Sequence, residues 1–313
     1  MYKPPPYLFS PHLETILPHL LRSVNGFDYQ RERLDLPDGD FVDLDWVRQS
    51  HKRLMVLCHG LEGGSDSQYM RGMARTGQNN GWDILALNFR SCSGEINRAI
   101  RMYHHGEIED LEVVLQQKTS HYPVVALVGF SLGGNVIVKY VASKGSLGGR
   151  IRGLVAVSTP CDLASSSKAL DRWQNQLYSR RFRRSLFRKF RKKVDQYPGL
   201  LDLSIYDKIK SWREFDDTFT TKLTGFRDAD EYYQQGSANN FIKEVQVPTL
   251  LLSALNDPFL EDPSYPVELS QKKKNIFLEM PKFGGHVGFW YPGRETTYAE
   301  ERCIEFLHEV VGT

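Results

Sequence analysis

A run of apolar residues, Val124-Val-Ala-Leu-Val, leads without polar interruption into Gly129-Phe-Ser131-Leu-Gly133. After it, Val136, Ile137, Tyr140 and Val141 recur at helical spacing. An unbroken apolar run bounded by glycine is the pattern of a strand covered on both faces. Strand, Gly-x-Ser-x-Gly and helix in succession predict a nucleophile elbow, a turn so tight that the positions flanking the serine must be tiny. Such a turn holds its serine in a strained conformation at the C-terminal end of the strand. The first helical N–H groups are aimed at the same spot. A glycine-rich turn with an incidental serine spells the same five letters, so the pattern needs support from the rest of the chain.

That support begins with the order of elements. Residues 1–30 read as an N-terminal arm carrying a short helix in His12-Leu-Glu-Thr-Ile-Leu-Pro-His-Leu-Leu-Arg22. Leu34-Asp-Leu and Phe41-Val-Asp-Leu-Asp-Trp-Val47 flank Pro37-Asp-Gly39 and alternate apolar with polar, the signature of a hairpin at a sheet edge. Buried strands are expected at 53–60, 82–89, 124–128, 153–157, 248–255 and 275–280, with helices at about 67–79, 106–119 and 296–311. In the last helix Ala299, Cys303, Phe306, Leu307 and Val310 share a face. Buried strands alternating with helices define an α/β protein with a mainly parallel sheet covered on both sides. Residues 161–245 hold no convincing strand, so 1–160 and 246–313 are expected to form the core and 161–245 an inserted helical cap.

Within that insertion Ser179–Lys193 carries nine basic residues, with Phe182, Leu186 and Phe190 spaced by four. Setting the nine aside turns the net charge of +2 into −7. A basic amphipathic helix of this kind can dock on anionic lipid. The favoured reading is a cap helix, with apolar residues toward a pocket and charges toward water. Weak membrane-surface contact through 180–193 stands as the alternative. Nucleic acid is not expected as a partner, since one basic helix lacks the wider basic and aromatic surface of such a binder.

The four cysteines, Cys58, Cys92, Cys161 and Cys303, have no paired spacing and read as reduced thiols of a cytoplasmic protein. The N-terminus shows no apolar signal segment, and no apolar run approaches the roughly 20 residues that span a bilayer. No Gly-x-Gly-x-x-Gly or phosphate loop is present, so no cofactor is expected. His104-His105 has no acidic or thiol partner at ligand spacing, and no metal is expected either.

A serine hydroxyl needs a base to take its proton and an acid to orient that base. On a sheet carrying this elbow the chain order is serine, acid, histidine. After Ser131 only His286 and His308 remain. His308 falls within the last helix and reads as a surface residue. His286 sits in Phe283-Gly-Gly-His-Val-Gly-Phe289, just past the last strand. The acid is expected at Asp257, directly after the preceding strand, with Asp262 as runner-up. The two oxyanion N–H donors are expected from Leu132, next after the serine, and from Leu61 in the loop after His59-Gly60. His59 itself reads as a loop-shaping hydrogen-bonder.

The chain resembles the YheT-like branch of the α/β-hydrolases, family four of that superfamily, over nearly its whole length. The resemblance rests on His12-Leu-Glu-Thr-Ile-Leu-Pro18, His59-Gly-Leu-Glu-Gly-Gly64, Asn88-Phe-Arg-Ser-Cys-Ser-Gly-Glu-Ile-Asn-Arg98 and Gly129-Phe-Ser-Leu-Gly-Gly-Asn135. It continues through Arg213-Glu-Phe-Asp-Asp217, Leu223-Thr-Gly-Phe226, Tyr232-Tyr233, Ala254-Leu-Asn-Asp-Pro-Phe259 and Gly284-Gly-His286. It implies an α/β-hydrolase fold and a triad of Ser131, Asp257 and His286 acting on carboxylic esters. Ser91 stands where the family has glycine, and narrowing of the pocket near the oxyanion loop is the expected consequence. The membrane anchor of the eukaryotic relatives has no counterpart in this sequence. Together these readings favour a serine carboxylesterase acting through an acyl-enzyme on short- or medium-chain esters. An acyltransferase, a thioesterase, a phospholipase-like esterase at a lipid surface and a non-catalytic scaffold are the rivals.

Overall fold

The computed structural model describes residues 2–312. In chain order α1 (Pro11–Leu21) is followed by the hairpin β1 (Gln30–Asp35) and β2 (Phe41–Val47), then β3 (Arg53–Cys58) and α2 (Gln68–Asn79). Next come β4 (Asp83–Asn88), α3 (Glu109–Lys118), β5 (Val124–Phe130), α4 (Leu132–Lys144) and β6 (Ile151–Val157). Five helices then run without a strand: α5 (Leu163–Asp171), α6 (Gln176–Gln196), α7 (Trp212–Phe215), α8 (Thr221–Thr224) and α9 (Ala229–Gly236). The chain closes with β7 (Thr249–Leu252), α10 (Val267–Lys272), β8 (Ile276–Glu279) and α11 (Tyr298–Val311).

The strands form one eight-stranded sheet in the order β1-β2-β4-β3-β5-β6-β7-β8. β1 pairs antiparallel with β2, and β2 antiparallel with β4; every other pairing is parallel. This is the α/β-hydrolase arrangement, with the expected hairpin at one edge. The unbroken apolar strands are explained by period two. Leu54, Val56 and Cys58 of β3 enter the core on one face, while Met55 and Leu57 enter the core on the other. α3 and α4 cover the first face through Leu111, Val114, Leu115, Val136 and Ile137. α2 and α11 cover the second through Met70, Met73, Cys303, Phe306 and Leu307. Each such side chain, fully buried, contributes about 1.5–3 kcal/mol of transfer free energy.

Helix ends follow their capping chemistry. Thr297 and Glu300 form a reciprocal capping box at the start of α11. α3 begins three residues later than its pattern suggests. Ile108 stands at its N-cap without a side-chain bond, and the Glu107 side chain just before it accepts the N–H of Glu109 at 3.0 Å. The helices between β6 and β7 have an apolar cluster of their own, built on Leu186, Phe190, Trp212, Phe215, Phe219 and Leu223. Ala238, Ile242 and Val245, which follow α9, rejoin the main core.

Candidate active site

Ser131 joins β5 to α4 with φ 52° and ψ −118°, a left-handed conformation costly for a residue with a Cβ. The sequence has made that turn obligatory. A Cβ at position 129 would run into the backbone of Gly133 and Gly134, and one at 133 into the carbonyl of Cys58. Ser131 N donates to Val157 O at 2.8 Å, fixing the turn to the neighbouring strand.

His286 and Asp257 meet as the chain order predicts. The imidazole Nδ1 lies 2.8 and 3.1 Å from the two oxygens of Asp257. The carboxylate is buried and also accepts the N–H of Phe259 at 2.9 Å. With Nδ1 engaged, Nε2 is the free ring nitrogen. Asp262, the runner-up, is exposed in a 3-10 turn. His308 is half-buried within α11.

Ser131, His286, Leu61 and Leu132 all line one cavity of about 340 Å³. Around Leu61 the neighbouring N–H groups are occupied. Gly60 N donates to the Tyr69 hydroxyl at 3.1 Å, Glu62 N to that of Tyr103 at 2.8 Å, and Gly63 N to Gly60 O at 3.0 Å. The N–H groups of Leu61 and Leu132 have no protein acceptor among the described residues. His59 shapes this loop: its Nδ1–H donates to Gly60 O at 2.7 Å and its Nε2 accepts the Phe89 N–H at 3.1 Å. Burial holds its pKa down at about 4, so it is neutral.

Three contributors to the site carry no spacing signal in the sequence. Glu14 of α1 is buried and accepts N–H groups from both active-site loops, that of Gly284 and, at 2.9 Å, the Nδ2 of Asn256. Its neighbour Thr15 accepts the N–H of His286 at 2.9 Å. Glu62, next to Leu61, accepts from Tyr103 at 2.7 Å, from Lys189 at 2.7 Å and from Ser185, and so ties the loop that carries Leu61 to α6. The only foreshadowing of Glu14 and Glu62 is that each lies in a stretch that carries the family resemblance.

The basic helix α6 does line the cavity with Phe182, Leu186 and Phe190. Its charges do not all face water, however. Lys193 is fully buried and donates to the carbonyls of Asn97 and Ala99, and Lys189 pairs with Glu62. Burial lowers Lys193 to about 8. Ser91 also departs from expectation, because it does not border the cavity. At φ 64° its hydroxyl lies 2.5 Å from Asn97 Oδ1, beside the buried pairing of Arg90 with Asp40 and Asp110. His104 and His105 sit in the cavity wall against Phe226 and Tyr232. Among the described residues no group of His, Cys, Asp and Glu is placed to hold a metal, and no helix is long and apolar enough to cross a membrane.

An eight-stranded, mainly parallel sheet with a strained serine after β5 defines the α/β-hydrolase class, and that family's fold matches residues 53–292. The chain belongs to it. Within the class it belongs to the YheT-like branch: it is 37% identical over 287 residues to "Putative esterase YheT" of Escherichia coli (strain K12), covering 89% of this chain and 84% of that one. It is 28% identical over 325 residues to phospholipase ABHD3 of Mus musculus, covering 99% of this chain and 79% of that protein. Among solved structures, the Pyrococcus furiosus esterase Pf2001 superposes with a TM-score of 0.62 at 17% identity, covering 100% of this chain and 98% of that one, a likeness of fold.

Proposed function

We propose that this protein is a serine carboxylic-ester hydrolase that works through an acyl-enzyme. The observation that carries the reading is His286, held by buried Asp257 and with its Nε2 free, in the wall of the cavity that Ser131 also lines from its strained turn. Residues 161–245 serve as the cap over that cavity.

In the reading, Ser131 Oγ attacks the ester carbonyl as His286 Nε2 takes its proton, and Asp257 holds the resulting imidazolium. The carbonyl oxygen becomes an oxyanion between the N–H groups of Leu61 and Leu132. One such donor is worth about 3–4 kcal/mol in the transition state. Collapse of the tetrahedral intermediate breaks the ester C–O bond, and His286 returns the proton to the departing alcohol. Water then enters, loses its proton to His286, and releases the acid as Ser131 recovers its hydrogen. The apolar wall of Ile16, Phe182, Leu186, Phe190 and Leu223 suits a short or medium acyl chain. Relatives named esterase and phospholipase fit such a substrate.

The test is a series of chromogenic esters graded in acyl-chain length, with thioester analogues and an alcohol acceptor in parallel. Hydrolysis peaking at one chain length is the expected result. Acyl transfer to the alcohol outrunning hydrolysis, or faster turnover of thioesters, would reassign the activity. No turnover of any ester would sink the reading.

A further inference from the structure

The Arg213-Glu-Phe-Asp-Asp217 segment carries part of the family resemblance, yet the chemistry above makes no use of it. The structure places one of its carboxylates, that of Asp216, in the wall of the cavity. We propose that the cavity wall around Asp216 is a recognition subsite for an ammonium or alkylammonium group carried by the substrate, a proposal that rests on the esterase reading and names its substrate class.

Asp216 opens a five-residue π-helical turn, Asp216–Thr220, a local distortion often found at functional sites. Its side chain is more than nine-tenths buried. Its two hydrogen-bond donors are neutral: the Thr220 hydroxyl at 2.6 Å and the Tyr233 hydroxyl at 2.8 Å. Each carboxylate oxygen accepts one bond and has capacity for another. The charged groups acting on it are Asp217 and Asp171, both of its own sign. The arginines nearby are engaged elsewhere. Arg213 forms a two-point pair with Asp230 on the surface and reaches Asp217 at 4.0 Å, and Arg183 donates to Ile209 O, so neither pairs with Asp216. A buried carboxylate with no cation is costly, and burial pushes Asp216 up to about 7. Had the position only to accept two hydroxyl protons, a neutral amide or hydroxyl would serve with less cost.

The surroundings suit a cation. Trp212, Tyr232 and Tyr233 line the same cavity, and aromatic faces attract ammonium groups. A substrate cation here would meet the Asp216 carboxylate and aromatic rings in the same wall. A phosphate or carboxylate would be repelled.

The test uses two amide analogues of one ester, matched in length, ending in trimethylammonium or in the isosteric tert-butyl group. Their affinities are measured by calorimetry at pH 8 for the full chain, both unaltered and as Ser131→Ala, each with and without Asp216→Asn. The expected result is about tenfold tighter binding of the cationic analogue, a preference that Asp216→Asn abolishes while the neutral analogue binds as before. Equal affinities in the unaltered chain, or a preference that survives Asp216→Asn, would overturn the proposal. Should Asp216→Asn fail to fold, the ratio in the unaltered chain decides alone. Because the readout is binding, loss of the esterase reading would show as absent ester turnover and leave this ratio interpretable.

Discussion

Glu14 and Asn256 meet at 2.9 Å across 242 residues of sequence, and the same carboxylate takes the N–H of Gly284. The N-terminal helix is thus the clamp between the loop that carries Asp257 and the loop that carries His286. Asn256 closes the arrangement by accepting the N–H of Gly285 at 3.0 Å. Burial raises the pKa of Glu14 on balance, against the lowering effect of the bonds from Gly284 and Asn256. Glu14→Gln offers one oxygen to two donors and leaves one of them unpaired. The expected cost is about 1–3 kcal/mol of stability. Turnover should fall with little change in KM, because the loops that hold acid and base are loosened while the pocket is not. Urea unfolding alongside steady-state kinetics checks both, and a rise in KM alone would contradict the positioning role.

The nucleophile is tested by labelling. Ser131→Ala should abolish ester hydrolysis and leave the thermal unfolding transition in place. A fluorophosphonate probe should label the unaltered protein and not the variant. Labelling that persists in Ser131→Ala would move the nucleophile to another residue.

For the acid the geometry gives a graded expectation. Asp257 holds His286 Nδ1 at 2.8 Å, whereas Asp262 is exposed. Asp257→Asn should lower turnover by roughly four orders of magnitude, since the amide favours the wrong tautomer and leaves the imidazolium unsupported. Asp262→Asn should change it less than about twofold, as surface substitutions away from a site usually do. Reversal of these two results would reassign the acid.

How much of this was legible in the sequence depended on whether a residue's role was local. Ser131 and its glycines announce themselves because the elbow is built from five consecutive positions. Asp257 and His286 could be found because the fold fixes the strands after which they fall. Glu14 could not, since its partners lie more than 240 positions away and no periodicity links them. Lys189 and Lys193 are intermediate cases. They follow Leu186 and Phe190 by three, which puts them beside the inward stripe, yet a basic run reads by default as a solvated face. The expectation for Ser91 fails because a position in the sequence says nothing about where a hydroxyl points, and here Asn97 takes it.

Helix α6 separates two kinds of substitution. Phe182, Leu186 and Phe190 line the cavity, so changing any of them to alanine should lengthen the preferred acyl chain in a graded ester series. Arg180, Arg184, Arg188 and Arg191 are exposed on the opposite side, and changing all four to glutamine should leave hydrolysis of a soluble neutral ester unaltered. Co-sedimentation with anionic and neutral vesicles at low and physiological salt reads the other use of that face. Each basic residue near an anionic surface contributes about 1 kcal/mol, and salt screens it. Salt-sensitive binding to anionic vesicles alone, lost in the quadruple variant, would make α6 a lipid contact as well as a wall of the cavity.

The pH dependence of stability isolates Asp216. Its folded pKa, raised by burial and then by Asp217 and Asp171, is about 7 against an ordinary 3.8. Between those two values the folded protein keeps a proton that the unfolded chain has lost. The contribution of Asp216 to stability is therefore fully present below about pH 4 and is lost as pH rises through 7. Buried His59, His104 and His105 act in the opposite sense. Their pKa values are lowered by burial to about 4, 3 and 4, so their contribution is present above about pH 6.5 and lost as pH falls. The net curve mixes the two, but the difference between Asp216→Asn and the unaltered chain removes the histidines. That difference should move in the variant's favour from pH 4.5 to about 7 and level off above it. Urea unfolding at pH 4.5, 6, 7 and 8 measures it. A difference that stays constant across this range would mean that Asp216 titrates as an ordinary carboxyl. A difference that moves the other way would mean that a cation of the protein already holds it ionised.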